Sequence, residues 1–117
     1  MFHPGSTTRV YLATGPTDMR KSINSLSILV AEQLDFDPLS GYLFCFCNRK
    51  RDTVKILYWQ HNGFCLWHKR LEEDRFQWPQ TPREVITIQG RELAWLLEGL
   101  SLDQAEAHRG KFYSTVR

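Results

Sequence analysis

Ile23, Leu26, Val30 and Leu34 follow one another at steps of three, four and four, which writes one apolar helical stripe into the stretch after Gly15-Pro16. Thr17 stands where an N-cap is wanted, with Asp18 next to it at the positive helix end. Asp37-Pro38 and Ser40-Gly41 close the helix and turn the chain. Upstream, Arg9 to Ala13 (RVYLA) reads as a short strand.

Beyond Gly41 the period changes to that of strands. Tyr42 to Cys47 (YLFCFC), Val54 to Gln60 (VKILYWQ) and Phe64 to Lys69 (FCLWHK) are rich in aromatic and β-branched residues and are separated by turn residues. Asn62-Gly63 is a strong hairpin signal, because both residues tolerate positive φ. A two-residue loop there pairs His61 with Phe64 and Tyr58 with Trp67. Tyr42, Phe44, Phe46, Val54, Ile56, Tyr58, Cys65 and Trp67 then share the face expected under the first helix. Leu43, Cys45, Cys47, Lys55, Leu57, Trp59, Leu66 and His68 fall on the other face, and a slip of one residue would exchange the two. Asn48 to Asp52 (NRKRD) forms a longer, charged hairpin tip. Arg75 to Trp78 and Val85 to Ile88 are weaker strand candidates. A second helix is predicted from Arg91 to Glu98, with Leu93, Leu96, Leu97 and Leu100 inward and Gly99 as its stop.

These elements add up to an α+β fold: a small antiparallel sheet of about four to five strands with one long and one shorter helix packed on it. The chain has 117 residues, enough for one domain. Residues 9–102 are read as that domain, 1–8 as a flexible arm and 103–117 as a polar tail. Apolar residues make up 42% and aromatic residues 13%, which excludes a disordered chain and supplies the rings for a core. No apolar run reaches the ~18 residues of a membrane span. No secretory signal is visible, and three cysteines are an odd number. The expected setting is therefore a reducing cytoplasm with free thiols and no membrane partner.

The net charge of +2 carries no argument for a partner, but its distribution does. From Tyr42 to Arg70 six basic residues (Arg49, Lys50, Arg51, Lys55, Lys69 and Arg70) stand against the single acid Asp52. A basic turn on a two-stranded finger can follow a phosphate row and displace its counterions. These six are the candidate DNA-binding residues; a solvated turn is the competing interpretation. Trp59 and His68 are weaker candidates for stacking on unpaired bases. Cys45, Cys47, Cys65, His61 and His68 lack the spacing of a zinc site, so no metal and no cofactor is expected. No carboxylate sits in mid-strand to hold catalytic metal ions, and no phosphate-binding loop, nucleophile elbow or zinc-protease motif is present. The expectation is a protein that is not an enzyme.

Four ordered motifs then carry a resemblance over about residues 9–102. They are YLATGPTDMRKS (11–22), DPLSGYLFCFCNRKRD (37–52), KILYWQHNGFCLWHKRLEEDRFQWP (55–79) and ELAWLLEGL (92–100). Together they resemble the accessory protein of insertion sequence 66 family transposons, the second open reading frame product of TnpB type, which is distinct from the RNA-guided nuclease of the same name. The resemblance implies an accessory role in transposition beside a separate, larger transposase. It supplies no catalytic residues. DNA at the transposon ends and the element's transposase are the partners it implies. The expected function is non-catalytic DNA binding through the basic hairpin. The alternative is an adaptor that holds the transposase, or a second copy of itself, through an exposed sheet face around Trp59, Leu66 and His68.

Overall fold

The computed structural model describes residues 8–102. Apart from residue 8, the predicted arm and the predicted tail lie outside the described residues. Strands β1 (Arg9–Ala13), β2 (Leu43–Cys47), β3 (Thr53–Gln60), β4 (Gly63–Arg70) and β5 (Val85–Gln89) form one sheet in the order β4-β3-β2-β1-β5. Helix α1 (Ile23–Glu32) joins β1 to β2, and α2 (Gly90–Leu97) follows β5 directly. The fold is α+β, as the patterning predicts. The sheet is mixed and mostly antiparallel: β1 and β2 run parallel, with Tyr11 beside Phe44. A parallel neighbour needs a crossover, and α1 provides it.

The helices lie on opposite faces. Under α1, Leu26 and Val30 pack with Tyr11, Phe44, Phe46 and Leu57. Under α2, Leu93, Leu96 and Leu97 pack with Val10, Leu12, Leu43, Cys45, Ile56 and Ile88. Strand β2 is thus covered on both sides, and all five of its residues are buried. That explains its run of apolar residues without alternation.

This two-sided burial changes the expected facing. Phe44 pairs with Leu57 and Cys45 with Ile56, so β2 is turned over relative to β3. The β3–β4 hairpin also turns one residue earlier than expected, which shifts each partner by two residues. Its loop is His61-Asn62, Gln60 pairs with Gly63, and Tyr58 lies opposite Cys65. Trp59 then stands opposite Phe64, edge to face at 5.1 Å between ring centroids, and such ring pairs add to what their buried area contributes. His61 carries the positive φ of the turn (+57°).

Three further expectations are corrected. The first helix begins at Ile23 with Ser22 as N-cap, not after Thr17, and ends at Glu32. Thr17 is buried instead, and its N–H donates to the Cys47 carbonyl at 2.9 Å. Asp18 accepts from the Arg20 N–H and pairs with the Arg20 guanidinium at 2.6 Å. Residues 75–78 form no strand; Phe76 and Trp78 cross the end of the sheet and are buried beneath α2. The second helix fits its expected span within one residue at each end. Glu92 accepts from the Gln89 N–H at its start. Gly99 (φ +92°) ends it, with the Leu100 N–H donating back to the Trp95 carbonyl.

Candidate nucleic-acid interface

The tip between β2 and β3 is shaped by Asn48. Its Oδ1 accepts from the Asp52 and Thr53 amides and its Nδ2 donates to Asp52 Oδ1 at 2.6 Å. Thr53 donates to the same Asp52 oxygen. These bonds, first that from Asn48, hold the Asp52 carboxyl below its ordinary pKa. The one acid in the basic run is therefore bound to neutral groups. Arg49, Lys50 and Arg51 are exposed and make no ion pair among the described residues.

The six candidate residues do not form one patch. Arg49 and Arg51 face a cleft at the carboxyl ends of β1 and β2. Lys50 faces the opposite side, a small hollow it shares with Asp52, Glu72, Glu73, Asp74 and Arg75, where acids outnumber bases. Lys55 is only 8% exposed. Its ammonium donates to the Met19 and Lys21 carbonyls at 2.7 and 2.8 Å, so it supports the segment before α1 from inside. Lys69 donates to the Leu97 carbonyl at 2.9 Å and so satisfies the end of α2. Arg70 is paired with Glu72 at 3.4 Å. Strand pleating sends Lys55 and Lys69 inward to opposite faces of the sheet, and each ammonium finds carbonyls there. His68 is exposed and Trp59 half-buried, both toward the α1 face.

The cleft that Arg49 and Arg51 enter has a volume of about 750 Å³. The loop after β1 (residues 14–18) and the loop after β2 (48–51) form its ends, and residues 80–84 form a wall. Lys21 and Arg83 join the two arginines around it, against Asp18 and Glu84. Asp18 is already held by Arg20, whose hydrogen bonds lower its pKa to about 2. The wall is tied down by Thr14, whose hydroxyl donates to the Arg83 carbonyl and whose amide donates to the Glu84 carbonyl. Ala13, Thr17, Cys47 and Trp78 form the floor. The Trp78 indole N–H is spent on the Ala13 carbonyl at 2.9 Å. Crevices at the carboxyl ends of parallel strands are where ligands bind in open sheets. Lys21 and Arg83 were missed from sequence because they lie 28 and 34 residues from Arg49. The signal that could have found them is the parallel pairing of β1 with β2, which brings their loops side by side.

Among the described residues, no three His, Cys, Asp or Glu side chains are grouped to hold a metal. Cys65 shares the α2 face with Cys45 and Cys47, contrary to the expected facing. Burial pushes the Cys47 thiol up to about 12 and that of Cys45 further still. No described helix is long and apolar enough to cross a membrane.

The fold and cleft define a small α+β protein with a basic crevice at one end of its sheet. Over residues 8–107 the chain matches the family of IS66 Orf2-like proteins, and it belongs to that family, which associates it with transposition in an accessory role. Two relatives come from Sinorhizobium fredii (strain NBRC 101917 / NGR234). The uncharacterized protein y4hO is 40% identical over 100 residues, covering 86% of this chain and 87% of its own. The uncharacterized protein y4jC is 32% identical over 100 residues, covering 86% of each chain. No solved structure matches.

Proposed function

We propose that the protein is a non-catalytic accessory subunit of transposition that holds DNA by its backbone, with Arg49 and Arg51 as the principal contacts and Lys21 and Arg83 beside them. The observation that carries this reading is the convergence of these four side chains on one cleft with no carboxylate ion-paired to any of them among the described residues. Free guanidinium and ammonium groups in a concave site attract a polyanion and release its counterions on contact. Lys50 contributes less, because the acids at 72–74 lie on its side of the tip. Lys55, Lys69 and Arg70 contribute through the fold, since each already has a partner within it.

Contacts of this kind fix position and affinity and carry little sequence information. Titrating labelled DNA with the full chain across a salt series tests the reading. Changing Arg49 and Arg51 together to Ala is expected to weaken binding and to flatten the log–log salt slope by about 0.9 for each phosphate that is no longer neutralised. The same loss from Lys69→Ala and Arg70→Ala, with Arg49 and Arg51 dispensable, would overturn it.

A further inference from the structure

We infer that the protein pairs with a second copy of itself edge to edge, strand β4 lying antiparallel to β4 of that copy in one continuous sheet. The sheet order leaves β4 and β5 as its two edges. Strand β5 is five residues long and runs straight into α2. Strand β4 is eight residues long and contains no proline. Its register with β3 is unbroken from Arg70 opposite Thr53 to Gly63 opposite Gln60, so it carries no bulge. Short length, proline and bulges are common protections of an edge strand, and β4 has none of the three. Phe64 to Trp67 (FCLW) are apolar and only half-buried.

The phase of the ladder fixes which backbone groups point outward. The Leu71 amide donates to the Asp52 carbonyl at 2.7 Å, one step beyond the pair of Arg70 with Thr53. Hydrogen-bonded pairs alternate with non-bonded ones along an antiparallel ladder. Lys69, Trp67, Cys65 and Gly63 therefore bond to β3, while Phe64, Leu66, His68 and Arg70 aim their amides and carbonyls away from the sheet. None of these four makes a backbone hydrogen bond on that outer side among the described residues.

The same four residues select the partner and the register. Antiparallel pairing sets Phe64 opposite Arg70 of the second copy and Leu66 opposite His68 of the second copy. It is the one register that gives all four a partner within β4, and each facing pair exchanges two hydrogen bonds. The charges agree with it. His68, Lys69 and Arg70 crowd one end of β4, and this register lays that end against Leu66, Cys65 and Phe64 of the second copy. Sliding the copies toward their basic ends would instead set Lys69 against Lys69 of the second copy, which like charges oppose. The half-buried Trp67 side chains meet at the two-fold axis, on a non-hydrogen-bonded pair whose Cα atoms approach to about 4.5 Å. Arg70 lies opposite Thr53, at the end of the sheet that carries the β2–β3 tip. Antiparallel pairing thus carries the two basic clefts to opposite ends of the joined sheet.

The test uses the full-length protein without DNA, so its outcome is independent of the DNA-backbone reading. Sedimentation equilibrium at micromolar concentration is expected to give twice the chain mass. Amide hydrogen exchange of that dimer, read by NMR, is expected to find Phe64, Leu66, His68 and Arg70 slowed together with their β3-bonded neighbours. His68→Pro leaves the protein's own ladder whole, because that amide points outward and the side chain is exposed. It is expected to weaken dimerisation roughly a hundredfold, since each copy loses a donor to the other. Where His68→Pro does not fold, as judged by its thermal transition, amide exchange in the wild type decides. A wild-type monomer overturns the proposal, and protection of the four amides in that monomer assigns the edge to another segment of the same chain. A dimer whose four amides exchange freely overturns it as well, as does a folded His68→Pro variant that dimerises like the wild type.

Discussion

At the residue scale, the lysines show how little a residue's type says about its task. Lys55 lies in a strand whose first five residues are all buried, and its ammonium is held by two carbonyls without a carboxylate. Lys55→Met keeps the aliphatic stem and leaves both carbonyls short of a donor. The expected cost is about 1–3 kcal/mol for each carbonyl left buried, read as a lowered thermal midpoint. The variant also loosens the segment that carries Lys21. The cysteines give a second prediction. Burial disfavours the thiolates of Cys45 and Cys47, whereas Cys65 is half-exposed. Under native conditions a thiol reagent is expected to modify Cys65 first, with Cys45 and Cys47 reacting only on unfolding. Because both buried thiols keep their protons beyond the ordinary value of 9.0, the native state binds more protons than the unfolded chain above that pH. Stability is therefore expected to fall as pH rises from about 9 toward 12.

At the element scale, what could be read from the residues depended on whether polar positions marked a face. The hairpin of β3 and β4 was legible because Asn62-Gly63 punctuates it, although the turn lies one residue earlier and the partners shift by two. Strand β2 offered no such mark. Leu43 to Cys47 is apolar throughout, so nothing in the sequence said which side Phe44 faces, and Lys55 looked like a solvent marker while it is buried. The start of α1 was misread because Thr17-Asp18 carries cap chemistry that serves a loop instead: the Asp18 side chain accepts from Arg20, two residues on. The end of α2 was legible because only glycine adopts φ +92° without cost. Gly99→Ala is expected to destabilise by about 1 kcal/mol, measured as a lower urea midpoint at constant slope.

At the scale of the whole molecule, the candidate site was half legible. Arg49 and Arg51 announced themselves as a run, while Lys21 and Arg83 joined them only through chain topology. Strand β1 pairs with β5, setting residues 9–13 against 85–89, whereas the β2–β3 and β3–β4 pairings join near neighbours in sequence. Local pairings form early, and distant ones wait on loop closure. Folding kinetics are expected to show this: Ile56→Val in β3 slows folding, while Ile88→Val in β5 mainly speeds unfolding, each read from the limbs of a chevron plot.

The long reach from β1 to β5 also sets when the cleft comes into existence. One wall follows β1, another precedes β5, and the floor includes Trp78. A chain still emerging from the ribosome can complete the β2–β3–β4 meander while residues 85–89 remain in the exit tunnel. The crevice opens only after the first strand has closed against the last, so a prematurely terminated product would keep its basic turn yet have no cavity behind it.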